Sequence, residues 1–222
     1  MDYNGPEERF RETLKELPRW AKVLSSLGCL GCNAFVNYMP SGSNELPYKE
    51  NFERMRKRFR EIGLVFKDHG CVFGIEFIGP KTSRAHSKYE FIHDLPGMLE
   101  LCDAVGTGNM GVLLDSWHWY TSGGDLAQIT ALRPEQVIYV HINDAPKGVP
   151  LDQHVDNVRA MPMETGVIDL PGFLRTLHEI GYSGPVTPEP FNKELATLPA
   201  DDAARRTAAS VRKAWEAAGL RW

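Results

Sequence analysis

The spacing of apolar residues along the chain predicts helices that alternate with short apolar strands. Apolar side chains recur every three or four residues, the period of an amphipathic helix, over residues 7–27, 49–69, 94–105, 125–132, 170–180 and 200–218. Between them lie short and almost wholly apolar runs at 29–38, 71–77, 110–115, 136–142 and 185–189. Strands of this type are buried on both faces, so the order predicts a parallel sheet covered by helices.

Two α/β architectures share this pattern, a doubly wound open sheet and a closed eight-stranded barrel. A doubly wound nucleotide-binding sheet would carry a glycine-rich turn after an early strand, and the sequence has neither G-x-G-x-x-G nor a Walker pattern. Instead, the last four predicted strands each end in a side chain of a metal-binding type: Glu76, Asp115, His141 and Glu189. We therefore expect an α/β fold of the (β/α)8 barrel type, with about five parallel strands visible.

These four strand-end residues form a candidate metal site. The carboxyl ends of parallel barrel strands open into one mouth, where side chains distant in sequence can meet. Three carboxylates and an imidazole suit Mn²⁺, and also Mg²⁺ or Co²⁺, better than a structural zinc ion, although a catalytic Zn²⁺ remains an alternative. Any one of these acids could instead cap a helix or bind loop backbone. Ionisable groups inside apolar runs are costly to bury without a partner, which favours one divalent cation.

Composition narrows the partners and the compartment. The 25 Lys and Arg residues are outnumbered by 29 Asp and Glu, and the formal charge of −4 gives no long-range attraction to nucleic acid. No apolar run approaches the roughly 18 residues of a membrane span. The four cysteines, without a signal-like apolar run near Met1, indicate a reducing cytoplasm. We read Cys29-Leu-Gly-Cys32 as strand packing. We expect a small-molecule substrate such as a sugar or polyol, no nucleic-acid or membrane partner, and a homo-oligomer as an alternative to a monomer.

Several motifs together resemble one known family, the xylose-isomerase-like TIM barrels, which include ketose 3-epimerases and inosose-processing enzymes. They are Asp115-Ser-Trp-His118, His141-Ile-Asn-Asp144, the stretch from Asn157-Val-Arg159 to Gly166-Val-Ile-Asp-Leu, and Gly181-Tyr-Ser-Gly-Pro-Val-Thr-Pro-Glu189. The resemblance covers the chain from about Cys29 to the end. It implies that Glu76, Asp115, His141 and Glu189 bind one divalent ion and that Glu76 and Glu189 are the acid and base. It also implies that His118 and Arg159 hold substrate oxygens.

The implied chemistry is proton transfer at a carbon next to a carbonyl. Such a carbon acid is too weak for a free carboxylate, so the enediolate oxyanion needs a metal and donors such as Arg159 or His118. Carboxylates on opposite faces of the substrate would give epimerisation, and transfer on one face would give isomerisation. We therefore expect a metal-dependent sugar, keto-sugar or cyclitol isomerase or epimerase.

Further residues near these motifs have two readings each. Trp117, beside His118, fits a sugar-stacking wall, with core packing as the alternative. Asp144 could orient His141 or a substrate hydroxyl, with loop capping as the alternative. Residues 145–166 lack periodicity and are expected to form a lid over the mouth.

Three other functions compete with the isomerase. A lyase or dehydratase would use the same metal and carboxylates, followed by loss of a β-leaving group. An endonuclease IV-like phosphodiesterase would need a three-zinc cluster and a basic groove, which seven histidines in an acidic chain do not readily supply. A non-catalytic truncated remnant is the third.

The chain departs from the family pattern at two places. A barrel of this type has about 250 residues and starts with a strand, whereas the first three βα units are missing here. We therefore expect residues 1–222 to form a single, N-terminally incomplete barrel domain, with Met1 an internal methionine of a longer chain, or with a partner subunit completing it. In addition, Met163-Glu164 stands where the family commonly has a glycine-containing turn.

Overall fold

The computed structural model describes residues 3–28 and 40–221. Their helices and strands are, in chain order, α1 (Glu7–Ser26), α2 (Tyr48–Asp68), β1 (Phe73–Ile75), α3 (Lys81–Arg84), α4 (Leu95–Val105), β2 (Met110–Asp115), α5 (Ser116–Thr121), α6 (Leu126–Thr130), β3 (Val137–Ile142), α7 (Leu170–Glu179), β4 (Val186–Pro188) and α8 (Ala200–Ala218). Within these ranges, no helix combines the length and apolar character needed to span a membrane.

The long elements match the sequence predictions closely. The predicted strand 110–115 and helix 200–218 have the same bounds in the structure, and the other helices with long amphipathic patterns differ by one or two residues. The predicted strand 29–38, with its Cys29 and Cys32, lies outside the described residues. Helices α3 and α5 were not predicted, because four and six residues are too short to establish a helical period.

The strands form a parallel sheet in the order β1-β2-β3-β4. The expected count of about five strands therefore becomes four in the described part of the chain. Asp115 on β2 pairs in register with His141 on β3, which in turn pairs with Thr187 on β4. This register brings the carboxyl ends of the strands to the same edge of the sheet.

The central strands are buried on both faces, as their apolar sequences predict. Val112, Leu114, Val140 and Ile142 belong to the hydrophobic core that also contains buried residues of α1, α2, α4, α7 and α8. Alternate residues of a strand point to opposite faces. Asp115 and His141 therefore point to the other face, where Leu113 is also fully buried.

Candidate metal centre

The four predicted ligands meet at the carboxyl edge of the sheet. Glu76 directly follows β1, Asp115 ends β2, His141 lies in β3 and Glu189 directly follows β4. One ligand atom from each side chain lies within 4.8 Å of the others. Nδ1 of His141 is 3.8 Å from Oε1 of Glu76 and 3.4 Å from Oε2 of Glu189. The convergence on which the sequence argument depended is therefore present in the folded chain.

Glu76 is the member of this group with an unsatisfied oxygen. Its side chain is 1% exposed, and no described residue forms a hydrogen bond with its Oε1. Burial raises the pKa of Glu76 well above its ordinary value, and the carboxylates of Asp115 and Glu189 raise it further. A buried carboxylate oxygen without a donor is the environment that a cation would satisfy, so these residues fit a divalent metal ion.

The two carboxylate oxygens of Asp115 have different hydrogen-bond partners. Oδ1 accepts hydrogen bonds from the N–H of Trp117 and from Nδ2 of Asn143, both at 2.8 Å. Oδ2 accepts a bond from Nη1 of Arg159 at 2.7 Å. Burial raises the pKa of Asp115, but the Arg159 guanidinium, helped by the hydrogen bond from the N–H of Trp117, outweighs this effect and lowers it.

Arg159 links the carboxylates of the candidate metal site to Asp156 in the 145–166 segment. Its Nη1 also donates to Oε2 of Glu189 at 3.0 Å, while Nη2 donates to Oδ1 of Asp156 at 2.7 Å. The guanidinium contacts two aromatic rings, with its Cζ 5.4 Å from the centroid of Trp117 and 4.8 Å from that of Phe191. Arg159 is therefore held rigidly at the site, where the sequence predicted a substrate-binding residue.

His118 lies on the first turn of α5, and each of its ring nitrogens lies close to a nitrogen atom of another residue. The N–H of Gly79 is 3.2 Å from Nδ1, and Nη2 of Arg159 is 3.3 Å from Nε2. The N–H of Gly79 donates to Nδ1, so Nδ1 carries no proton, and burial lowers the pKa of His118, which favours the neutral ring with its proton on Nε2. Nε2 lies 3.9 Å from Oε1 of Glu76 and 3.8 Å from Oδ1 of Asp156, and these carboxylates favour the proton on Nε2. The Nε2–H group then faces the site as a donor.

Gly79 makes the close approach to His118 feasible. A Cβ atom at position 79 would lie 2.1 Å from the carbonyl oxygen of His118. Only glycine fits here, so the loop after β1 contributes a backbone donor to the site as well as Glu76.

The structure corrects the expectation for Asp144. Its Oδ1 accepts hydrogen bonds from the N–H groups of residues 145, 167 and 168, and its Oδ2 accepts those of residues 165 and 166. The carboxylate is fully buried and its acceptor capacity is taken by loop backbone. Asp144 therefore anchors the end of the 145–166 segment, the loop-capping alternative, and does not face a substrate.

Trp117 has a supporting position as well. The side chain is fully buried, with one side toward the guanidinium of Arg159 and an edge contact to His154 at 5.2 Å between ring centroids. The structure therefore favours the packing alternative over an exposed sugar-stacking wall.

Three residues near the site were not predicted from the sequence. Asn143 donates to Asp115, Asp156 accepts from Arg159, and Phe191 covers the guanidinium with a ring that is 46% exposed. Asp156 stands three residues before Arg159, a spacing that can bring two side chains together in a turn. Phe191 has a left-handed backbone, with φ of 38°, and gave no sequence signal.

Comparison with known proteins finds a family whose model matches most of the chain. The family model described as "Xylose isomerase-like TIM barrel" matches residues 1–214. An inosose isomerase from Halalkalibacterium halodurans is 28% identical over 202 residues, which cover 90% of this chain and 67% of that protein. A 3-dehydroshikimate dehydratase from Pseudomonas aeruginosa is 34% identical over 101 residues, but these cover 45% of this chain and 16% of that protein.

Solved structures show the same fold. A xylose isomerase domain protein from Alicyclobacillus acidocaldarius superposes with a TM-score of 0.84 and 29% identity, over 99% of this chain and 76% of that one. The IOLI protein, solved with a bound zinc atom, superposes with a TM-score of 0.79 and 21% identity, over 95% of this chain and 71% of that one.

Proposed function

The chain belongs to the xylose isomerase-like TIM barrel family, and we propose that it is a divalent-metal-dependent isomerase or epimerase of a sugar, keto sugar or cyclitol. The predicted family and its TIM-barrel fold are confirmed. The prediction of an isomerase agrees with relatives named inosose isomerase, 2-oxo-tetronate isomerase and ketose 3-epimerase. The observation that carries the proposal is the meeting of three carboxylates and one imidazole at the carboxyl edge of the sheet.

The proposed metal ligands are Glu76, Asp115, His141 and Glu189. A divalent cation held there would supply Lewis-acid stabilisation of the negative charge that develops on a substrate oxygen. The zinc atom in the IOLI structure supports a divalent ion, and Mn²⁺ stays our prediction from the oxygen-rich ligand set.

Glu76 and Glu189 are the proposed acid and base. They follow β1 and β4, the outer strands of the described sheet, and Asp115 and His141 lie between them. Carboxylates that approach a substrate from two sides can remove a proton on one side and return it on the other. The geometry therefore supports the pairing that the family resemblance implies.

His118 is the proposed donor to a substrate oxygen, whereas each guanidinium nitrogen of Arg159, the other residue that the resemblance assigns to substrate oxygens, is already hydrogen-bonded to Asp115, Asp156 or Glu189. The Nε2–H of His118 and the guanidinium of Arg159 both lie beside the carboxylates, and both are fixed by packing and hydrogen bonds. Donors held in place at a developing oxyanion need no reorganisation during the reaction.

The other functions considered have less support. Elimination would use the same residues, but the dehydratase match covers less than half of this chain. An endonuclease IV-like site would need a three-zinc cluster, and the potential metal-binding group in residues 3–28 and 40–221 consists of the four residues above.

Deuterium incorporation from heavy water tests this proposal. With Mn²⁺ and a panel of free ketohexoses and an inosose, the wild type should exchange the proton next to the carbonyl of at least one compound. Glu189→Gln should reduce that exchange by about 10²- to 10⁴-fold, the typical contribution of a general acid or base. The matched control is Glu194→Gln, since Glu194 is 75% exposed and pairs with Arg206. Absence of exchange from every compound, or equal exchange in Glu189→Gln, would contradict the proposal.

A further inference from the structure

Asp156 places a fourth carboxylate at the mouth of the candidate metal centre. Its Oδ1 accepts the 2.7 Å hydrogen bond from Arg159 and lies 3.8 Å from Nε2 of His118. The side chain is 25% exposed, whereas Glu76 and Asp115 are buried. Asp156 is therefore the carboxylate that a substrate entering from solvent can meet without competing with a metal ion.

The segment that carries Asp156 is fixed against the barrel. The backbone of Ala160 pairs with that of Asp144, Oγ1 of Thr82 donates to the carbonyl of His154 at 2.6 Å, and Nε of Arg159 donates to the carbonyl of Asp156 at 2.9 Å. These contacts hold Asp156 in one position relative to His118. Nη2 of Arg159 lies close to both Oδ1 of Asp156 and Nε2 of His118, so a substrate hydroxyl would donate to the exposed part of the Asp156 carboxylate.

The charge of the site is negative even with a metal ion bound. The carboxylates of Glu76, Asp115, Asp156 and Glu189 face one guanidinium, and two positive charges from a divalent cation would still leave one negative charge in excess. Among the described residues, the ion pairs of these carboxylates with a lysine or arginine are all made by Arg159, which three of the carboxylates share. Among the residues that the structure describes, a phosphate or carboxylate group on a substrate would find no lysine or arginine with free donors beside these carboxylates.

We propose that Asp156 determines substrate specificity, by accepting a hydrogen bond from a hydroxyl of an uncharged keto sugar or keto cyclitol and by excluding substrates that carry phosphate or carboxylate. This inference rests on the proposed function, which it narrows to neutral polyhydroxy ketones. It also separates the isomerase from a dehydratase of an acidic substrate, because like charges brought together at a binding site disfavour that partner.

The test is Asp156→Asn, which removes the charge and keeps an oxygen that can accept from Arg159. In the exchange assay with Mn²⁺, the wild type should act on D-fructose or another free ketohexose and discriminate against its 6-phosphate. The ratio of kcat/KM for the phosphate to that for the free sugar should rise about tenfold or more in Asp156→Asn. Asp152→Asn removes the same charge from an exposed position on the same segment and should leave the ratio unchanged.

A binding measurement makes the inference testable without turnover. Calorimetry with glucitol and glucitol 6-phosphate, with and without Mn²⁺, should show the uncharged polyol binding more tightly to the wild type. Asp156→Asn should weaken glucitol binding and strengthen binding of the phosphate.

The outcomes distinguish this inference from the proposed function. Absence of exchange with every ketose, together with the expected glucitol preference, would overturn the proton-transfer function and leave the role of Asp156 standing. Equal loss of kcat/KM for both sugars in Asp156→Asn, or equal binding of both polyols to the wild type, would overturn the role of Asp156. An equal loss of kcat/KM for both sugars would show that Asp156 only positions Arg159.

Discussion

Arg159 and Asp115 form a buried ion pair, in which Nη1 of the guanidinium donates to Oδ2 of the carboxylate at 2.7 Å. Both side chains are at most 2% exposed. The pair joins a strand end to the 145–166 segment and lies beside the other proposed metal ligands. We therefore expect the stability that the pair contributes to depend on whether a cation is bound.

The first prediction is that Arg159→Met destabilises the metal-free protein strongly and the Mn²⁺-loaded protein less. Removing one partner of a buried pair leaves the other charge uncompensated, at about 3–5 kcal/mol, whereas a bound cation would replace the lost charge. Urea unfolding in EDTA and in Mn²⁺ measures the difference. The control Arg206→Met removes an exposed pair with Glu194 and should change stability by less than about 1 kcal/mol. An equal loss in EDTA and Mn²⁺ would contradict the coupling.

The second prediction concerns the raised pKa of Glu76. Burial and the carboxylates of Asp115 and Glu189 raise the pKa of Glu76 in the folded protein. The folded metal-free protein therefore keeps a proton that the unfolded chain loses at about pH 4.3. The folded state then binds more protons, so the stability contributed by this group is lost as pH rises through the folded pKa. Urea unfolding in EDTA should show this slope in the wild type and not in Glu76→Gln.

Metal binding should depend on pH in the complementary sense. Mn²⁺ must displace the proton of Glu76, so its affinity should rise with pH, and calorimetry in two buffers should detect proton release. Glu76→Gln should bind Mn²⁺ about 100-fold more weakly or worse, since loss of an outer-shell partner alone gives 10- to 100-fold. The control Glu179→Gln, on the exposed face of α7, should match the wild type. If the Glu76→Gln variant kept wild-type affinity, Glu76 would not be a ligand.

The third prediction separates the two nitrogens of His118. His118→Asn keeps an acceptor near Nδ1 for Gly79 and loses the donor at Nε2, whereas His118→Gln places an amide donor near Nε2. We expect His118→Asn to lower kcat by about 10²-fold or more, as for loss of one oxyanion donor, and His118→Gln to lower it less. Nitrogen-15 chemical shifts of the imidazole should identify the Nε2–H tautomer. The opposite order of the two variants, or the Nδ1–H tautomer, would contradict the assignment.

The fourth prediction is that Asp144→Asn makes the backbone of residues 165–168 more mobile without weakening the metal site. The amide nitrogen would face backbone N–H groups that now donate to the carboxylate, and at least two partly buried donors would lose their acceptor, at a cost of about 2 kcal/mol in total. Hydrogen exchange of amides 165–168 should accelerate, while Mn²⁺ affinity stays near the wild-type value. Asp169→Asn is the control, because Asp169 caps α7 and asparagine caps helices equally well. Unchanged exchange at 165–168 would show that Asp144 is not the anchor.

The fifth prediction concerns His154, which is 1% exposed and has no hydrogen-bond partner at either ring nitrogen among the described residues. Burial lowers its pKa, so the unfolded chain binds more protons below about pH 6.5 and stability falls as pH decreases through that value. His154→Leu should reduce this slope and stabilise the protein by about 1–2 kcal/mol at pH 7. Exposed His86 supplies the control His86→Leu, and an unchanged slope in His154→Leu would refute the prediction.

The sequence by itself determined the order of the long elements and the identity of the converging side chains. A helical period of 3.6 residues and a continuous apolar run are both local properties of the sequence. The first and last residues of β2 and α8 could therefore be predicted correctly. Glu76, Asp115, His141 and Glu189 could be grouped because parallel strands end at a common edge, whatever loops connect them.

The tertiary structure alone decided which loop groups reach the site. Asp144 and Asp156 are both acidic residues near Arg159 in the sequence. Asp144 accepts hydrogen bonds from loop N–H groups, whereas Asp156 contacts Arg159 and lies near His118. The backbone angles of the connecting loops decide between these outcomes, and no periodic pattern encodes them. For the same reason, the contact of Gly79 with His118 and that of Phe191 with Arg159 could be identified only in the folded structure.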